Sequence, residues 1–319
     1  MTELSAAWSP MMLLAGTANP QLAERISQRL AKPLCDVTIK RFEDGEIFVR
    51  INENVRGRDV YIVQSTNPPA STILELLILI DAAKRASAAR VTAVIPYYGY
   101  ARQDRKDQPR VSIAAKLMAN LTTAAGADRV LSIDFHQHQL QGFFDIPVDH
   151  LYAAPIFMEH YQSLSGTDLV VVATDVGGAK MARGFAKRLG ADLAIIDKRR
   201  TGPNQSEVLN VVGEVDGKRC LIPDDVIDTA GTMVNAVSAL REQGASEIYV
   251  AATHALLSGP AVERLRAADV TEIAVTDTIE LPEEKQAALP NLKVLSVSGL
   301  LAQAIENTHY NRSVSSLFD

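Results

Sequence analysis

The chain has 319 residues, 47% hydrophobic and 22% charged, enough to bury a substantial core and to form two domains. Lys plus Arg number 32 against 38 Asp plus Glu, a formal net charge of −6 with no long basic run, which argues against nucleic acid as a main partner. The most apolar stretch, residues 73–80, contains Glu75 and is too short to span a bilayer, and no basic segment followed by an apolar one opens the chain, so no membrane partner and a cytoplasmic location are expected.

β-rich runs at residues 12–15, 60–64, 91–95, 130–133, 169–173, 193–196, 219–222, 247–251 and 272–276 alternate with helix-length segments. That alternation predicts an α/β protein whose mainly parallel sheets are flanked by helices. Asn19-Pro20 opens the first helix with a capping side chain and a proline at its first position. The pattern restarts over residues 148–154, which predicts two similar domains, 1–150 and 151–319, with the last residues packing back toward the first. Cys35 and Cys220 are far apart and lie in or beside apolar segments, so they read as reduced core residues. Right-handed crossovers put ligands beyond the carboxyl ends of the strands, where Gln64-Ser65-Thr66, Pro96-Tyr97-Tyr98, Asp134, Asp175 and Asp224 fall.

Six segments carry chemistry. Phe42-Glu43-Asp44-Gly45-Glu46 reads as a hairpin turn with a core phenylalanine. Arg102, Arg105 and Lys106 follow the strand at 91–95 and suit phosphate oxygens or purine faces, as they would suit an ordinary basic loop. His136 follows Asp134 at a strand end, and with His138 two residues on it leaves zinc open as a weak alternative to a hydrogen-bonded polar residue. Asp175-Val176-Gly177-Gly178 stands at the end of another strand. Lys198 and Arg200 open a loop rich in Gly, Pro, Asn and Ser, which reads as a cation-bearing lid or as solvated surface. The sixth segment, residues 220–233, runs CLIPDDVIDTAGTM: a buried strand, two acids where it emerges, and a small-residue turn into a helix from Met233. Backbone amides of such a turn collect a phosphate, and adjacent carboxylates take vicinal hydroxyls or a metal, so the segment describes a phosphorylated sugar. A strand-to-helix turn with an acidic cap is its bland alternative. No two glycines are two positions apart and the Walker spacing is missing, so any ATP site here lacks the common glycine-rich motifs.

In order, these segments, together with Gln141-Gly142-Phe143-Phe144-Asp145-Ile146-Pro147 and Asp197-Lys198-Arg199-Arg200, resemble the class I ribose-phosphate diphosphokinases, built on the type I phosphoribosyltransferase fold. The likeness runs from about residue 13 to 318. It implies two domains of that fold, a dependence on Mg²⁺, and transfer of the diphosphoryl group of ATP to ribose 5-phosphate. It implies that Arg102, Gln103, Asp107 and His136 contact ATP, that Phe42, Asp44 and Glu46 come from a neighbouring subunit around the adenine, and that His136 and Asp175 hold the metal. Asp224 and Asp225 would bind the sugar hydroxyls, and Asp228, Thr229, Ala230, Gly231 and Thr232 the 5-phosphate. Lys198 and Arg200 would serve the transition state; Arg56, Gln141, Ser313 and Ser315 would bind phosphate and ADP as effectors in a homohexamer. This chain departs from the pattern at Thr201-Gly202, which bears on lid closure, at His138, where the pattern has a small residue, and at Pro223, which removes a ladder donor just before the acid pair. Two rivals stand: a phosphoribosyltransferase, which needs no ATP-side motifs, and a non-catalytic regulatory paralogue, which would be free to lose Lys198, Arg200, His136 and Asp175.

Overall fold

A computed structural model describes residues 9–166, 168–199 and 208–317. The chain folds into two compact units. One comprises the chain up to Tyr152 with Thr278–Glu280 and the segment from Ser296 onward; the other comprises Ala153–Asp277 and Leu281–Leu295.

The first unit is built on strands β1 (Met11–Ala15), β4 (Asp59–Val63), β5 (Arg90–Ile95), β6 (Arg129–Ile133) and β7 (Val148–Leu151), all parallel and in that order across the sheet. Their sequences are apolar runs, such as the fully buried DVYIV of β4, because helices cover both faces of a parallel sheet. Helix α1 (Pro20–Leu30) starts where Asn19 Oδ1 accepts the Leu22 amide at 3.1 Å, and Pro20 supplies a pre-set φ at the first turn. Helices α2 (Ser71–Arg85), α3 (Ala114–Ala125) and the last helix, α9 (Ser298–His309), complete the unit. α9 lies against α1, with Arg29 Nε donating to Ser298 Oγ at 2.9 Å. It is also tied to the sheet, where His309 Nδ1 meets Asp59 Oδ2 at 2.7 Å and Arg90 Nη2 donates to the Thr308 carbonyl at 3.2 Å.

Strands β2 (Val37–Arg41) and β3 (Ile47–Ile51) form a separate antiparallel hairpin, which the apolar-run reading of the sequence missed. The hairpin turn is present, but Phe42 beside it is 47% exposed, so the expectation of a core phenylalanine is overturned. Phe42 stands at the turn, past the end of β2, whereas Val37, Ile39, Val49 and Ile51 of the paired strands are the residues that pack on the core.

The second unit is a seven-stranded sheet in the order β10 (Val208–Val212), β9 (Asp192–Arg199), β8 (Leu169–Ala173), β11 (Arg219–Ile227), β12 (Glu247–Ala255), β13 (Glu272–Thr276), β14 (Leu292–Leu295). Only β10 runs antiparallel to its neighbour. From β8 the chain proceeds outward to β9 and then returns to start β11 on the other side. That reversal is a topological switch point, where loops from adjacent strands part and leave room for a ligand.

Candidate active site

The loops after β8 and β11 flank this switch point, and they carry the acidic residues. β11 does not end at Ile222: pairing with β12 continues through Ile227, so Asp224 and Asp225 lie within the strand rather than at its exit. Registered pairing to β8 stops at Leu221, which leaves Pro223 in a stretch where the strand has a partner on one side only. Asp224 Oδ1 accepts the Asp225 amide at 2.8 Å. Burial first, then the neighbouring charges of Asp225 and Asp175, push the Asp224 carboxyl up to about 8. Asp175, on the loop after β8, accepts the Gly178 amide on Oδ1 at 2.9 Å. Three carboxylates so placed attract a hard cation or hydroxyl donors.

After β11 the chain passes through Asp228 and Thr229 to Ala230, which takes the left-handed conformation at φ 61°, unusual for a residue with a Cβ. Helix α6 (Gly231–Glu242) then begins, two residues before the expected Met233, with no side chain capping it. The first helical bond is made by Val234 to the Ala230 carbonyl at 3.0 Å, so the preceding amides, those of Gly231, Thr232 and Met233, have no intrahelical acceptor. The carbonyls on this loop are held from outside it. Leu256 and Leu257 donate to Ile227 O at 3.0 and 3.1 Å, Ser258 to Asp228 O at 2.8 Å, and Arg264 Nη1 to Thr229 O at 2.9 Å. Peptide groups with their carbonyls tied down on one side direct their amides to another, which is how a loop becomes an anion nest. Arg264, on helix α7 (Ala261–Ala267), was not singled out from sequence; a lone arginine in a charged helix gives no signal.

In the first unit, Arg102 and Gln103 stand on an exposed turn after β5. The Gln103 amide donates to Tyr100 O at 2.9 Å and its carbonyl accepts from Ala115 at 3.2 Å, so the turn is braced on α3. Upstream, Thr66 Oγ1 accepts the Gly99 amide at 2.7 Å and donates to Tyr97 O at 3.0 Å. The approach is so close that a Cβ on Gly99 would lie 2.2 Å from the Thr66 carbonyl oxygen. Gly99→Ala is therefore expected to cost about 1–3 kcal/mol of stability, read by thermal melting; an unchanged melting temperature would show that the backbone relaxes around the added methyl.

Asp107 lies exposed further along the same loop. His136 is half-buried just beyond β6, after Asp134, whose φ is 38°. On the hairpin, Phe42 donates its amide to Glu46 O at 2.9 Å, and Glu46 donates its own to Asp44 Oδ1 at 3.0 Å. The Phe42 ring stands edge-on to Phe48 at 5.6 Å, with Lys40 Nζ 5.7 Å from its centre. These contacts are internal to the hairpin, so one face of Phe42 stays open.

For Lys198 the backbone alone is described, in register opposite Leu209 near the end of β9; Arg200 lies outside the described residues. Arg56, Gln141, Ser313 and Ser315 are exposed and bonded locally: Arg56 N to Asn54 Oδ1, Gln141 Nε2 to His138 O, and Ser315 N to Ser313 Oγ, at 3.0, 3.0 and 3.1 Å. Both cysteines are free, Cys220 buried and Cys35 half-buried. No helix among the described residues is long and apolar enough to cross a membrane.

Comparison with known proteins addresses the whole chain. Residues 11–126 match the model of the N-terminal domain of ribose phosphate pyrophosphokinase, and residues 199–319 that of the phosphoribosyl synthetase-associated domain. The chain is 52% identical over 312 residues to a ribose-phosphate pyrophosphokinase of Chlorobaculum tepidum, covering 98% of this chain and 96% of that one. It is 52% identical over 314 residues to the enzyme of that name from Agrobacterium fabrum, covering 97% and 100%. A crystal structure of phosphoribosylpyrophosphate synthetase from Mycobacterium smegmatis superposes with a TM-score of 0.88 at 44% identity, over 95% of this chain and 100% of that one. With this identity over nearly the full length of both chains, the chain belongs to the ribose-phosphate pyrophosphokinase family.

Proposed function

We propose that the protein transfers the diphosphoryl group of ATP to the 1-hydroxyl of ribose 5-phosphate, giving 5-phosphoribosyl 1-diphosphate and AMP. The observation that carries this reading is the acid pair Asp224-Asp225, with Asp175 near enough to raise the Asp224 carboxyl, leading into the uncapped start of α6. Asp224 and Asp225 take the sugar hydroxyls, and the amides from Asp228 to Thr232 take the 5-phosphate. Arg102, Gln103, Asp107 and His136 hold the nucleotide. The 1-hydroxyl attacks the β-phosphorus in line; the bond from the β-phosphorus to the oxygen bridging it to the α-phosphorus breaks, AMP leaves with that oxygen, and the hydroxyl proton passes to solvent. Lys198 and Arg200 neutralise the charge that develops on the moving group.

The donor set suits Mg²⁺: oxygen ligands predominate, and Asp224, held so far above the usual carboxylate range, gains from a cation beside it. No group of three His, Cys, Asp or Glu among the described residues forms a cage by itself, so Asp175, and separately His136, would each meet an ion together with substrate phosphates and water. When bound, the ion would shield the triphosphate and ease departure of AMP. Zinc at His136 and His138 would lack further protein ligands, since no group of three His, Cys, Asp or Glu gathers among the described residues. Phosphate and ADP act as effectors through Arg56, Gln141, Ser313 and Ser315, in a cytoplasmic homohexamer. Purified protein given ATP, ribose 5-phosphate and Mg²⁺ is expected to form AMP and a phosphoribosyl donor; AMP formed equally without the sugar would refute the reading.

Shared sites follow if Phe42, Asp44 and Glu46 close over a neighbour's adenine. Phe42→Ala then removes a stacking surface worth about 1–3 kcal/mol of ATP binding. Mixed with Lys198→Ala under conditions that exchange subunits, it is expected to regain activity at interfaces pairing an intact hairpin with an intact Lys198. No recovery despite demonstrated exchange would place both functions within one subunit.

A further inference from the structure

We infer that His150 is a positioning residue for the nucleotide end of the site, its ring nitrogen holding the turn that presents His136. The inference rests on the reading above that His136 meets ATP. β6 and β7 pair in register through Ser132 with His150 and Ile133 with Leu151. The next amide, Asp134 N, still finds backbone and donates to Leu151 O at 3.0 Å. There the chain swings away, because Asp134 adopts φ 38°. The following amide belongs to Phe135, which is 5% exposed, and it donates to His150 Nε2 at 2.8 Å. A side chain on β7 thus extends the ladder by one rung past the point where the backbone has left it. A buried amide stripped of its acceptor is expensive, so the bond resists any drift of the turn.

His150 is itself fixed. It is 3% exposed and its ring packs at 4.7 Å from Phe135, 4.7 Å from Tyr152 and 5.4 Å from His138. Because Nε2 accepts, the proton of the neutral ring sits on Nδ1. The Phe135 ring is held in turn by Tyr98 at 5.4 Å. His136 therefore follows a residue pinned through both its backbone and its ring, at a strained turn of the kind that persists only where its surroundings enforce it.

The test compares His150→Phe, which keeps a flat ring and loses the acceptor, with His150→Gln, whose amide oxygen reaches about as far as Nε2. His150→Phe is expected to lower kcat/KM for ATP roughly ten- to hundredfold with the KM for ribose 5-phosphate within about twofold, and His150→Gln to restore most of the loss. Equal impairment of both variants would show that restoring the acceptor does not restore the site, and normal ATP kinetics in His150→Phe would show that the acceptor is not needed; either overturns the inference. Should His150→Phe fail to fold, hydrogen exchange over residues 132–137 decides. Slow exchange in the wild type that His150→Gln preserves supports the bond, and fast exchange in the wild type overturns it. His136→Ala separates the two readings: normal ATP kinetics there would remove His136 from the nucleotide and this inference with it, whereas a defect there with none in His150→Phe would sink the inference alone.

Discussion

Replacing Lys198 by alanine is expected to lower turnover by about 10²–10³-fold while leaving the KM for each substrate nearly unchanged. Diphosphoryl transfer asks little covalent chemistry of the protein; what limits it is negative charge spreading over the moving group as the bond to AMP lengthens. A cation that meets this charge only in the transition state contributes to kcat and not to ground-state binding. Lys198 stands near the end of β9, a strand anchored on both sides by β8 and β10, so its removal is not expected to disturb the fold. Lys198→Arg should recover part of the rate, because charge survives while geometry changes. The measurement is steady-state kinetics with both substrates varied. A raised KM at normal turnover would make the lysine a binding residue, and unchanged kinetics would remove it from the site.

The second large effect is expected at the acid pair. Asp224→Asn with Asp225→Asn should raise the ribose 5-phosphate requirement about a hundredfold or more, through loss of charge-assisted bonds to hydroxyls, with the KM for ATP little changed. Equal weakening of both substrates would instead assign the pair to a shared metal. Asp224 also carries a pH signature in the ligand-free protein. Its carboxyl binds a proton more tightly folded, at about 8, than unfolded, at an ordinary aspartate's 3.8. A raised carboxyl pKa favours the folded state most below the unfolded value, and that advantage is lost as pH rises through the folded one. Asp224→Asn is thus expected to melt several degrees higher than the wild type above pH 8, with the gain shrinking as pH falls toward the unfolded value. A pH-independent difference would mean that the asparagine merely packs better. Asp224 is thereby a residue that weakens the empty protein above pH 8, the kind of exchange common at binding sites.

The sequence made the long apolar strands legible because burial on both faces leaves no polar alternation to confuse them. The Asn19-Pro20 cap was legible because both residues act through local geometry. Less visible were β7, β10 and β14, short strands at sheet edges, and the strands β2 and β3, of which the sequence showed only the turn between them. The acid pair was found, but not its place within β11, since continuation past Pro223 depends on β12. The early start of α6 hangs on a left-handed alanine, a conformation no propensity assigns to it. Arg264 and His150 act through backbone groups far along the chain, and nothing in the local residues announces that.

The chain leaves the first unit at Tyr152 and rejoins it for good at Ser296, with α9 laid against α1. During synthesis the ribosome therefore delivers most of the second unit as an uninterrupted stretch, free to fold on emergence, while the nascent first unit still lacks α9. The first half to be translated is the last to be finished. Until Ser298 and His309 have left the exit tunnel, Arg29 lacks Ser298 and Asp59 is held by Arg90 without His309, and the uncovered flank of α1 is where chaperones and proteases would find the growing polypeptide.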